Sequence, residues 1–101
     1  MARYVIQFLS AAHAGQDAPF NEWYDNVHKP DVLAVPGFLA CRRHRIVESG
    51  SDRPRYMAAY DVECDDPNAL LANLLETASK SMVVSPALDP SSVQITIFQA
   101  M

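Results

Sequence analysis

Residues 20–38, Phe-Asn-Glu-Trp-Tyr-Asp-Asn-Val-His-Lys-Pro-Asp-Val-Leu-Ala-Val-Pro-Gly-Phe, constrain the fold more than any other stretch of this chain. At about 100° per residue, Phe20, Trp23 and Val27 fall on one arc of a helix, and Glu22, Asn26 and Lys29 fall opposite. Upstream, Asp17 suits the N-cap and Pro19 the first turn. Pro30 has no amide hydrogen to donate and disfavours helical backbone at Lys29. The helix is therefore expected to end or kink just after His28. Val35-Pro36-Gly37 is turn chemistry, so a new strand begins at Phe38.

The remaining chain reads in the same terms. Residues 3–9 form a first strand, with Tyr4, Ile6 and Phe8 on one face and Val5, Gln7 and Leu9 on the other. Residues 10–18 form a loop. Residues 38–48 and 55–63 make the second and third strands, joined by a hairpin-type loop over 49–54. Asp65-Asp66-Pro67 supplies a cap and a first-turn proline. The second helix then buries Leu70, Leu71, Leu74, Leu75 and Ala78. Residues 80–91 read as an irregular connection, and 92–99 as a last strand with Val93, Ile95 and Ile97 on one face. The order is β-α-β-β-α-β: an α+β, ferredoxin-like fold. It implies a four-stranded antiparallel sheet with two helices on one face, in a single domain over residues 1–101.

The second face of such a sheet should be polar, and here it is not. Val5 and Leu9 oppose Tyr4, Ile6 and Phe8, and Met57 and Ala59 oppose Tyr56, Ala58 and Tyr60. An uncovered apolar face calls for a partner. A second copy of the same sheet is the simplest one, which gives a homodimer whose sheets pack face to face into an α+β barrel.

A net charge of −4 argues against nucleic acid or an anionic membrane as a partner. The run Arg42-Arg43-His44-Arg45 does not reverse this, because strand alternation splits it between two faces. The N-terminal apolar run is too short for a signal peptide, and no stretch reaches the roughly 18–20 apolar residues of a membrane helix. A cytoplasmic location follows as an expectation. Cys41 and Cys64 then stay reduced as small core thiols, with no CxxC spacing.

The run from Phe20 to Pro30, followed by Leu33-Ala34-Val35-Pro36-Gly37-Phe38, resembles the EthD-like branch of the dimeric α+β barrel superfamily. Arg55-Tyr56-Met57-Ala58-Ala59-Tyr60 and Ser85-Pro86-Ala87-Leu88 are similar to that branch as well. The resemblance implies a cleft between helices and sheet, with the first-helix histidine lining it; His28 is the matching position. The superfamily holds monooxygenases, polyketide cyclases, muconolactone-type isomerases, haem-degrading enzymes and proteins without an assigned reaction. Its isomerases and cyclases generally work without metal or organic cofactor.

His28 has Tyr24 four residues before it and Asp31 three after, the neighbours an acid–base histidine would use. It lies about 140° from Trp23 on a helical wheel. Asp31 could accept from one ring nitrogen if helical geometry persists past Pro30. Arg42 and His44 share a strand face with Phe38, Ala40 and Ile46. If that face and the Tyr60 face both meet the first helix, Arg42, His44 and Tyr60 line an apolar cavity. Arg42 or Tyr60 would then hold an oxyanion. Trp23 is a core or pocket-wall residue. His13, His28 and His44 come from three separate elements without metal-ligand spacing, so no metal site is expected.

The sequence thus favours a cofactor-free enzyme acting on a small apolar oxygenated compound, such as a phenol, polyketide or lactone. His28 would move a proton in an isomerisation, cyclisation or lyase step. Two alternatives stay open: a monooxygenase of the same superfamily, including haem degradation, and a non-catalytic accessory or small-molecule-binding protein.

Overall fold

The computed structural model describes residues 2–47 and 54–101. Strand β1 (Ala2–Ser10) leads into helix α1 (Asp17–Trp23), a π-helical turn (Tyr24–His28) and helix α2 (Lys29–Leu33). Strands β2 (Phe38–Arg45) and β3 (Tyr56–Cys64) follow, then helix α3 (Pro67–Ser81) and strand β4 (Gln94–Gln99). The strands pair antiparallel throughout, in the order β2-β3-β1-β4. This is the expected ferredoxin-like arrangement. The loop expected over 49–54 lies, apart from Pro54, outside the described residues.

The core forms where the helices lie on one face of the sheet. Ile6, Phe20, Val32, Tyr60 and Val62 are its fully buried large side chains. Each contributes on the order of 1.5–3 kcal/mol by leaving water. Alternation along β1 and β3 groups Ile6 with Phe8, and Ala58 with Tyr60 and Val62, as read from the sequence, and the structure turns both groups toward the helices. Asp66 caps α3 as expected: its Oδ1 accepts from the amides of Asn68 (3.0 Å) and Ala69 (3.2 Å). Leu74 is buried, whereas Leu75 remains about half exposed.

Three local expectations are corrected. Asp17 is not the N-cap; the cap is Gln16, and the Asp17 carboxylate instead accepts from the Tyr56 hydroxyl at 2.6 Å. Helical backbone also does not stop at His28 but continues to Leu33. The π turn makes this possible, because the Lys29 amide reaches back five residues to the Tyr24 carbonyl. Pro30 then falls at the first turn of α2, where its missing donor matters least.

The third correction concerns β2. A bulge between Phe38 and Ala40 inserts Leu39 as an extra residue. Phe38 stands opposite Val62, yet Cys41 stands opposite Tyr60 and Arg43 opposite Ala58. A one-residue slip exchanges the two faces of everything downstream. Arg42 and His44 therefore point away from the helices, and Cys41 and Arg43 point toward them. Gly37 opens the strand at φ +102, a conformation that side chains rarely adopt. A Cβ there would also stand 3.1 Å from Leu70 Cδ1.

Cys41 and Cys64 are free thiols, and each is half-buried at the edge of the core rather than within it as expected. Among the described residues no helix is long and apolar enough to cross a membrane.

Candidate active site

The π turn decides where the aromatic side chains of the first helix go. In a regular α-helix Trp23 and His28 point far apart. Here the wider turn brings residue five over residue zero. The His28 imidazole stacks on the Trp23 indole with centroids 4.7 Å apart and planes 24° from parallel. The same imidazole meets the Tyr24 ring edge-on at 4.9 Å. The Trp23 indole N–H donates to the Val83 carbonyl at 2.8 Å, which ties this helix to the segment after α3.

These three rings form one wall of an apolar cavity of about 160 Å³. Phe8 and Ser10 of β1 and Ile95 of β4 form its floor on the sheet. Leu75, Val84, Leu88 and Val93 complete it. Leu75 and Val84 are about half exposed and make the rim. The polar groups in the lining are Ser10, Tyr24 and His28.

Burial lowers the His28 pKa below its ordinary value, against the opposing charge of Asp31 and aided by the positive charge of Arg43. The ring is therefore neutral at pH 7. Its Nδ1 is sealed from solvent and has no hydrogen-bond partner among the described residues. Asp31 acts on it through charge and does not bond that nitrogen. The Asp31 side chain borders a separate groove with Val35, Asn73 and Thr77, between α2 and α3.

Behind the cavity wall, the Tyr24 and Tyr60 hydroxyls meet at 3.0 Å. Burial pushes Tyr24 up to about 12 and Tyr60 higher still, the second also through the neighbouring Tyr24. Both phenols stay protonated across the physiological range. Tyr60 is fully buried and does not border the cavity; it reaches the site through Tyr24.

Arg43 holds Tyr24 from the other side. Its guanidinium carbon sits 4.2 Å from the Tyr24 ring centroid, in cation–π geometry. Its two terminal nitrogens donate to Asp25 Oδ1 and Asn21 Oδ1, each at 2.9 Å. One strand residue thus clamps α1 and the π turn at once.

The structure therefore brings Trp23, Tyr24 and His28 together, with Tyr60 one layer behind. It does not bring Arg42 or His44 to them. Arg42 lies on the opposite sheet face, largely exposed, 3.7 Å from Asp61. Arg43, not Arg42, is the arginine turned toward the helices, and it sits behind Tyr24 without lining the cavity. The basic run did signal an arginine toward the helix, but strand alternation alone could not say which one. Ser10 was missed because a serine ending a strand carries no signal of its own. Among the described residues no three His, Cys, Asp or Glu side chains converge as a metal would require.

No protein-family model matches the chain, and no curated protein matches its sequence. Solved structures do match. One is an ethyl tert-butyl ether D (EthD) family protein from Bacillus halodurans C-125, with a TM-score of 0.63 over 100% of both chains at 18% identity. This chain has the EthD-like fold. A candidate monooxygenase from Shewanella loihica PV-4 matches with a TM-score of 0.59 at 12% identity, over 99% of this chain and 95% of the other. The EthD-like likeness spans the whole chain, so the helices and the sheet belong to the shared architecture. At these identities it is a likeness of fold, and the site must be argued from its own side chains.

Proposed function

We propose that this chain is a small cofactor-free enzyme that takes an apolar oxygenated molecule into the His28 cavity and moves a proton on it. The reaction would be of isomerase, cyclase or lyase type. One observation carries the reading: a histidine held neutral by burial lines a mostly apolar cavity. A neutral imidazole can take a proton from a carbon beside a ligand carbonyl and return it elsewhere on the molecule. With Nδ1 sealed off, Nε2 is the nitrogen left for the ligand. An imidazolium whose Nδ1–H finds no acceptor is a stronger acid, so it returns its proton readily. The Ser10 hydroxyl is the other polar group in the lining outside the first helix. Arg42 has no part in this reading.

The same reading includes a homodimer. Leu9 stands opposite Met57, and Val5 opposite Phe98, on the sheet face away from the helices. Packing two such faces together would cover these side chains and brace the strands that floor the cavity.

The experiment is turnover of a panel of lactones, phenols and β-keto compounds by wild type and His28→Ala. Loss of about 10²-fold or more in the variant supports the proton-transfer role. Full turnover by His28→Ala on a working substrate removes it. A second reading, oxygenation of an electron-rich phenol, is raised by the monooxygenase-like neighbour. Labelled dioxygen appearing in the product would decide for it.

A further inference from the structure

We infer that the His28 cavity selects a neutral, single-ring molecule and discriminates against the carboxylated analogue of the same ring. This deepens the function proposed above and rests on it.

The first argument is size. An engineered protein cavity of about 150 Å³ lined by aliphatic and aromatic side chains binds benzene. The present cavity, at about 160 Å³, is of that order. One ring with a small substituent fills it. A fused two-ring or larger skeleton must either push Phe8, Leu88 or Ile95 aside or leave part of its apolar surface in water beyond the half-exposed rim of Leu75 and Val84, and both weaken its binding per ring.

The second argument is charge. No Lys, Arg, Asp or Glu lines the cavity among the described residues. Arg43 is the cation beside this wall, but it lies beyond Tyr24 and is engaged by Asp25 and Asn21. His28 is held neutral and offers no counter-charge. A carboxylate brought into this lining would exchange its water for the hydrogen bonds of Ser10 and His28 alone, with no fixed opposite charge, which is costlier than burying a hydroxyl that finds one hydrogen bond. A phenol, cyclic ketone or lactone needs one such bond for its oxygen, and His28 or Ser10 can supply it. The ring itself has the Trp23 indole and Phe8 to pack against.

The test is an NMR titration of the wild-type protein at neutral pH, following the His28 ring and Trp23 indole signals. The probes are p-cresol, 4-hydroxybenzoate and 1-naphthol. Trp23 is the single tryptophan, so its fluorescence gives an independent affinity. The expected result is saturable movement of both signals by p-cresol. Binding by 4-hydroxybenzoate and by 1-naphthol should each be weaker by about tenfold or more. Equal or tighter binding of 4-hydroxybenzoate overturns the charge selection, and equal or tighter binding of 1-naphthol overturns the size selection. Either outcome leaves the His28 cavity as a working pocket. If no probe moves either signal, this inference fails and the proposed function loses its support with it.

Discussion

The imidazole of His28 lies nearly flat on the indole of Trp23, 4.7 Å between centroids, although five residues separate them. Only a helix that closes through a five-residue turn can stack this pair, and π turns of this kind are frequent at functional sites. The contact buries one side of the imidazole and helps hold it uncharged.

A histidine whose folded-state pKa is depressed leaves the unfolded chain as the better proton binder. Stability should therefore be complete above about pH 6.5 and fall as pH drops from there toward the folded pKa. His28→Phe should flatten that slope. Urea midpoints of both proteins at several pH values measure it; parallel slopes would mean that His28 is not the group responsible.

The paired hydroxyls of Tyr24 and Tyr60 make a second test. Tyr60→Phe leaves the Tyr24 hydroxyl buried without its bond, at about 1–3 kcal/mol, and Tyr24→Phe should cost less because the Tyr60 hydroxyl keeps the Cys41 thiol as a neighbour. The double variant removes both groups and should cost less than the sum of the singles. Additive costs in a denaturation cycle would show that the two hydroxyls do not interact.

Arg43 and Arg42 should differ sharply despite being neighbours. Arg43→Met removes two hydrogen bonds and the contact with Tyr24 and should cost about 2–4 kcal/mol. It also removes a positive charge that lowers the His28 pKa, so the His28 titration should move upward. Arg42→Met loses only an exposed ion pair and should stay within about 0.5 kcal/mol of wild type. Equal losses in thermal unfolding would contradict the bulged register of β2.

Pro30→Ala restores an amide hydrogen after the π turn. The turn can then tighten toward α geometry, since the Asn26 carbonyl gains a donor. Tightening swings His28 away from Trp23. The expected signs are a change in Trp23 fluorescence and a His28 pKa closer to about 6.5. An unchanged indole signal and titration would show that the π turn stands without proline.

Periodicity carried most of the architecture. The two-residue alternation of β1 grouped Ile6 with Phe8, and that of β3 grouped Tyr60 with Val62, each pair on one face, and the cap at Asp66 with Pro67 placed α3. These features are local, so the sequence displays them directly. The first helix motif likewise placed Trp23, Tyr24 and His28 on one element and pointed to His28 as the group lining a cleft.

Two decisions belonged to the tertiary structure. The bulge at Leu39 chose Arg43 over Arg42, because a single extra residue reverses every later side chain and leaves no mark in composition. The π turn carried the helix through Pro30 and turned His28 onto Trp23, because packing against the sheet and the clamp from Arg43 outweigh the local preference to stop. Sequence alone determined which residue types were available to the site. The long-range contacts of β2 and the first helix decided which of them face the cavity, since register and helical phase are set by partners far away in the chain.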